Sequence, residues 1–240
     1  VSSFRPAHMV TTTGWWKAFI PPWNFSLELY EQALSAAGMG QSFINSLFIT
    51  IPATVIPLMI AAFAAYAFAW MRFPGREILF VAVIGLLVVP LQTTLIPVLR
   101  IYNNLGLTGT FVGIWLAHSA YGLPLAVYLL RNFFSTLPRD MFESAALDGA
   151  SPFTAFFSLA LAIFQFMCVW TGLRIALSYL GGEPSVAPMT VTIGNLTNSL
   201  GGGWQVLTAA AFISMLLPLV VFFTLQRYFV RGLLAGSVKG

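Results

Sequence analysis

Five stretches of this chain are each long and apolar enough to cross a bilayer, and that leaves few folds open to it. A crossing takes about 20 mostly apolar residues. Gln41 to Met71, Ile78 to Ile101, Thr108 to Leu130, Ser158 to Leu180 and Val206 to Val230 all qualify. Lipid cannot satisfy an open backbone, so all five are expected to be helices. The expected fold is therefore all-α, a polytopic membrane helix bundle. With 58% hydrophobic and 8% charged residues and a mean hydropathy of +0.86, the chain lies outside the range of ordinary soluble domains. Pro52 and Pro57 in the first stretch, Pro90 and Pro97 in the second, Pro124 in the third and Pro218 in the fifth predict bent helices packed against their neighbours.

Loop charges suggest an orientation. Arg72, Arg76, Arg131 and Arg139 follow the first and third stretches, Arg227 stands at the end of the fifth, and Arg231 and Lys239 follow it. All of these fall on one side, which is expected to be cytoplasmic. The loops "NNLGLTGT" and "GGEPSVAPMTVTIGNLTNSLGGGW" are then external. Residues 1–40, with "GWWKAFIPPWNF" followed by the capped pattern "SLELYEQAL", read as an extracytoplasmic segment lying at the membrane interface. Five spans put the two ends on opposite sides. A sixth span before Val1 is expected to restore an even count.

Much chemistry is excluded by what the chain lacks. Seven acids and two histidines do not assemble into a catalytic constellation. A phosphate-binding P-loop needs glycine before its lysine, whereas Lys17 follows Trp16 and Lys239 follows Val238. His8 and His118 have no partners at metal-ligand spacing, so no metal site is expected. Basic residues are scattered singly, against a nucleic-acid partner. The lone Cys168 lies in an apolar run and reads as a small buried hydrophobe.

One polar island stands in the middle, "RDMFESAALDGASPF", Arg139 to Phe153. Asp140 as N-cap and Glu143 three residues later form a capping box, which predicts a separate helix from Met141. Ala145 and Gly149 are four apart, as are Ala146 and Ala150, giving a face of small side chains that another surface can approach closely. Physics alone leaves two readings open for it, a docking face or an amphipathic connector.

The order "ESAALDGA", with Glu143, Ala145, Asp148 and Gly149 in register, resembles the E-A-A-x-x-D-G loop of permease subunits from bacterial ABC importers. "FRPAHMVTTTGWW" with "NSLFIT", and the end "AAFISMLLPLVVFFTLQRYFVRGLLAGSVKG", resemble the carbohydrate-uptake branch, in its maltose-type, shorter form. The resemblance covers essentially the whole chain. It implies a transmembrane domain over residues 41–240, with a cytoplasmic coupling helix at 140–152 and a cytoplasmic tail at 232–240. Glu143, Ala145, Ala146, Asp148 and Gly149 would dock on an ATPase subunit. Gly232, Gly236, Ser237 and Lys239 in the tail would reach toward the same partner. The family's I-x-L-P continuation is absent, since its position reads "LALA", Leu159 to Ala162, followed at once by "IFQFMCVW". About a dozen residues of the coupling loop separate the two in relatives.

The resemblance further implies a non-catalytic subunit of a sugar importer in the bacterial cytoplasmic (inner) membrane, working by alternating access. Its partners would be a second homologous permease, two ATPase subunits carrying ATP and magnesium, and an extracytoplasmic sugar-binding protein. No cofactor is expected on this chain. A sugar pathway needs aromatic faces and uncharged hydrogen-bonding groups. Asn45, Gln92, Thr93, Thr94, Tyr121 and Trp170 are the main candidates, with His118, Gln165 and Tyr179 beside them. For each, an interhelical hydrogen bond or interface position is an equal alternative. An α-glucoside, maltose or trehalose substrate is expected over glycerol-3-phosphate, because few basic residues could meet a phosphate within the spans. A secondary transporter is the competing class, though every Asp and Glu lies outside the five stretches.

Overall fold

The computed structural model describes residues 1–35, 38–136, 162, 165–181, 183–196 and 203–237. Within them, short 3-10 turns at Ser2–Phe4 and Trp15–Phe19 alternate with α1 (Ala7–Thr12) and α2 (Glu28–Ser35). The membrane part follows as α3 (Met39–Trp70), α4 (Arg76–Gly85) extended by a 3-10 turn at Leu86–Val88, α5 (Leu91–Asn104) and α6 (Phe111–Thr136). Residues 165–170 are helical, and α7 (Leu173–Leu180), α8 (Met189–Asn195) and α9 (Trp204–Ser237) complete the described chain. No strand occurs among the described residues.

Three of the expected spans are single long helices, α3, α6 and the Trp204–Thr224 part of α9. Their prolines are held inside the helices, at Pro52, Pro57, Pro124 and Pro218. Packing against neighbours makes this tolerable. α3 and α6 form the central pair. Ala61 and Ala65 of α3 are fully buried beside Ala126, Val127 and Leu130 of α6, and Ala53 lies in a second cluster with Ile114. Alanines on one face let the two helix axes come close, so dispersion contacts accumulate where lipid gives no hydrophobic drive.

The second expected span is not one rod. Its halves, Arg76–Val88 and Leu91–Asn104, meet at 101°. Proline has no N–H and pushes the residue before it toward extended backbone. Val89 (φ −72°, ψ 117°) and Pro90 (φ −64°, ψ 131°) are both extended, and α5 begins immediately after them. At about 1.5 Å per residue, neither half alone reaches across about 30 Å of hydrocarbon.

The fourth expected span, Ser158 to Leu180, also departs from a continuous helix in its described part. The helical backbone of 165–170 is interrupted at Thr171 and Gly172 before α7. Gly172 adopts φ −74°, ψ 57°, and the Leu173 N–H donates to the Thr171 carbonyl at 2.8 Å. That is an inverse γ-turn. Glycine is needed there for space, because a Cβ on Gly172 would lie 2.9 Å from Cε1 of His118. Gly113 is required similarly in the first turn of α6, where a Cβ would fall 2.2 Å from the Leu107 carbonyl oxygen.

Among the described residues, the loop after α3 and the C-terminal part of α6 meet at one end of the bundle, and the loops after α5 and α7 lie at the other. At one end the Gly109 N–H donates to the Tyr179 carbonyl (2.8 Å), and Asn45, near the start of α3, reaches the loop before α8. At the other end Trp70 packs on Phe134 (ring centroids 5.3 Å) and Phe68 on Phe80 (5.5 Å). There the Arg131 guanidinium lies over the Phe80 ring at 4.6 Å. Arg72, Arg76 and Arg131 therefore share one end, separated from the loops at 103–110 and 183–188.

Candidate functional site

Both broken helices resume as short segments, α5 and α7, that pack on each other beside α6, and polar side chains join the three. Thr94 of α5 and Tyr121 of α6 share a hydrogen bond at 3.0 Å, and Tyr121 shares another with Tyr179 of α7 at 2.9 Å. Thr94 Oγ1 also donates to the Leu91 carbonyl at 2.8 Å. A hydroxyl carries one proton, so this last bond orders the rest. Tyr179 donates to Tyr121, Tyr121 to Thr94, and Thr94 to the first turn after the break at Pro90. Tyr102 packs against Tyr179 with ring centroids 4.8 Å apart. Tyr179 is fully buried and Tyr102 nearly so, within a cluster that includes Ala117, Leu95, Val98 and Leu99.

This arrangement follows from helical spacing. Thr94, Val98 and Tyr102 recur every four residues along α5 and so share one face. Gln92 and Thr93 fall on the exposed side of its first turn, with Thr93 Oγ1 donating to the Pro90 carbonyl at 2.7 Å. A break that frees backbone groups, flanked by hydroxyls and an amide, is where non-helical backbone is tolerated at membrane depth.

The other sequence candidates are placed differently. Asn45 stands in the first turns of α3. It is buried, its amide N–H groups donate to the Ser185 and Ala187 carbonyls (3.1 Å each), and its Oδ1 accepts from Gln41 (3.1 Å). Trp170 is buried as well. Its indole N–H donates to the Ser214 carbonyl of α9 at 3.1 Å, with its ring between Phe43 and Phe166. Both are ties between elements, because each donor is drawn to a carbonyl that a loop or a neighbouring helix leaves open. Gln165 lies between α3 and α6, toward the Ala53 carbonyl and against Gly122. His118 is buried, with its ring edge against the turn at Gly172.

Glu143, Ala145, Ala146, Asp148 and Gly149 lie outside the described residues, as do Lys239 and "LALA" apart from Ala162. Gly232, Gly236 and Ser237 continue the helix α9, which ends at Ser237. The expected tail therefore begins as helix. Sequence reading missed Tyr102, whose four-residue spacing from Val98 and Thr94 could have revealed it. Ser42 and Ser46 were missed too. Ser42 shares a 2.6 Å hydrogen bond with Thr192, and Ser46 Oγ accepts the Met189 N–H at 2.8 Å, satisfying a free donor at the start of α8.

Tyr121→Phe is expected to destabilise the protein about twice as much as Tyr179→Phe, since it removes two interhelical bonds. Each such bond averages about 0.6 kcal/mol in membrane proteins, with a maximum near 1.7. Unfolding of both single variants and the double variant in lipid nanodiscs measures this. A double variant equal to the sum of the singles would show that the phenols do not interact.

No protein-family model matches the chain. It is 58% identical over 252 aligned positions to the osmoprotective compounds uptake permease protein GgtD of Synechocystis sp., covering 100% of this chain and 85% of that protein. Identity to the alpha-glucoside transport system permease protein AglG of Rhizobium meliloti is 53%, over 93% of this chain and 62% of AglG. A chain in the crystal structure of a bacterial ABC transporter involved in the import of the acidic polysaccharide alginate superposes with a TM-score of 0.77, over 95% of this chain and 87% of that one. At 19% identity, this last likeness is one of fold.

Proposed function

The chain belongs to the ABC sugar-transport permeases, and we propose from that premise that it forms half of the pathway of an ATP-driven importer for α-glucosidic di- or oligosaccharides. It is a multi-pass membrane protein of three unbroken spanning helices and one bent pair among the described residues. Whole-chain identity of 58% to GgtD, together with 53% to a permease named for alpha-glucoside transport, carries the reading. The acids outside the five apolar stretches agree with a neutral substrate.

The remaining subunits follow from the same reading. A second permease completes the pathway, two ATPase subunits hold ATP and magnesium, and an external sugar-binding protein delivers the solute at the end carrying the 103–110 and 183–188 loops. This chain itself catalyses no reaction. The placement is the bacterial cytoplasmic membrane, with Arg72, Arg76 and Arg131 at the inner end. Residues 1–40 form the external segment, and 140–152 and 232–240 the cytoplasmic elements. Glu143, Ala145, Ala146, Asp148 and Gly149 dock on the ATPase, and Gly232, Gly236, Ser237 and Lys239 approach it.

For the pathway, Gln92 and Thr93 lie beside the break at Pro90, and Thr94 and Tyr121 tie that break to α6. Alternating access would then swing α5 and α7 as half-helices about Pro90 and Gly172, with the hydroxyl chain holding them together. GgtD's name supplies one specific second substrate class, osmoprotective compounds. Binding titrations of the cognate external protein against maltose, sucrose, trehalose and a set of zwitterionic osmoprotectants decide between them. Micromolar binding of an α-glucoside alone is expected. Binding restricted to zwitterions would overturn the α-glucoside assignment.

A further inference from the structure

We propose that residues 14–25 form an aromatic anchor seated in the headgroup layer of the bilayer, beside the external end of α9. The base of this loop is held at both ends by two consecutive residues. Arg5 is 3% exposed, and its guanidinium donates to the carbonyls of Gly14 (3.2 Å) and Met9 (3.3 Å) and to the Thr13 hydroxyl. Its neighbour Phe4 accepts the Ser26 N–H on its carbonyl at 2.9 Å. Thus the chain leaves at Gly14 and returns at Ser26 through one clamped point. The cation also sits at the carbonyl-rich end of α1, where positive charge is favoured.

That clamped point rests on the last span. Phe4 and Tyr30 both pack on Phe212 of α9, with centroids 6.0 and 6.2 Å away, and the Tyr30 hydroxyl donates to Ser3 Oγ at 2.9 Å. Leu29 and Ala33 of α2 are fully buried in the same region. Beyond the clamp, Trp15, Trp16, Phe19, Ile20, Trp23 and Phe25 are each between 50 and 66% exposed. Lys17 is the only charged residue of the loop.

Several features select lipid as the occupant. Tryptophan concentrates where one side of the ring meets acyl chains and the other meets water. A single lysine complements anionic headgroups without the acids that a hydrogen-bonded protein interface would use. The clamp itself packs on α9 at Phe212, and farther along that spanning helix Met215, Leu216, Val220 and Phe223 are exposed. Anchoring the clamp in the interface would fix the height of α9, the helix that runs on to Ser237.

The proposal rests on the chain crossing a membrane and is independent of which solute is carried. It is tested on the protein reconstituted in nanodiscs with phosphatidylglycerol brominated either near the headgroup or deep in the acyl chains. Tryptophan fluorescence is recorded for the wild type and for the combined variant Trp15→Phe, Trp16→Phe, Trp23→Phe. The difference between the two isolates the loop. Quenching of that difference at least twofold stronger by the shallow bromines than by the deep ones is expected, with little quenching by aqueous acrylamide. Strong acrylamide quenching without a bromine effect would overturn the proposal, placing the loop in water. Shielding of the loop only when the external binding protein is added would overturn it as well, by making the patch a protein dock.

Discussion

Replacing Gly149 with arginine is expected to reduce sugar-stimulated ATP hydrolysis of the assembled transporter to its basal rate, while the permease still inserts and assembles. The physical reason is the small face predicted for the helix at 140–152. Ala145 and Gly149 stand one helical turn apart, so they present a shallow surface that a cleft can close over. An arginine in the middle of that face adds a long, hydrated cation where close approach is needed. Insertion should be spared, because Gly149 lies outside the apolar stretches. Gly149→Ala, which keeps the face small, should retain most of the stimulation. ATPase rates of purified complexes in nanodiscs, with and without binding protein and sugar, check this. Undiminished stimulation in the arginine variant would sink the docking role.

A second large effect is expected from Asn45→Leu, this time on stability. The leucine removes both donors to the Ser185 and Ala187 carbonyls, which are 3.1 Å from the amide nitrogen. Buried acceptors left without donors cost about 1–3 kcal/mol each. A loss of about 1–3 kcal/mol is therefore expected, because Ala187 is buried beside Asn45 whereas water can take the amide's place at the exposed Ser185. Gln41→Ala removes only the bond from an exposed side chain to Asn45 Oδ1. It should stay within about 0.5 kcal/mol of the wild type. Thermal unfolding of the two variants in the same nanodiscs compares them. Equal losses would show that the loop carbonyls do not depend on Asn45. The contrast matters for function, since Asn45 holds the loop leading to α8 at the end where solute is proposed to enter.

The hydroxyl chain and the two helix breaks connect these results. Thr94, Tyr121 and Tyr179 bind three helices into one unit that borders the interruption at Pro90, while His118 of the same α6 meets the one at Gly172. Strong local coupling beside weak points is what a hinge requires, because the rigid parts must move without coming apart.

How much of this was legible in the chain depends on what sets each feature. The spanning helices at Met39–Trp70, Phe111–Thr136 and Trp204–Ser237 follow from composition, since hydrocarbon admits no other use for such long apolar runs. The division of loops between the two ends was legible for the same reason, through the scarcity and placement of arginine. Family membership was carried by short motifs, "ESAALDGA" above all.

Proline alone did not say which helices would break. Pro52, Pro57, Pro124 and Pro218 sit inside continuous helices, whereas Pro90 accompanies a turn of 101°. The difference lies in the neighbours available to accept freed backbone groups, which sequence does not display. Gly172 was less legible still, because what calls for a glycine there is His118 approaching from another helix. Tyr121 and Tyr179 are likewise 58 residues apart. The sequence by itself determined that this chain lives in a bilayer, as helices, with its charges sorted to the ends. The tertiary structure alone decided where those helices bend and which polar groups meet, because both depend on contacts between residues that no local pattern brings together.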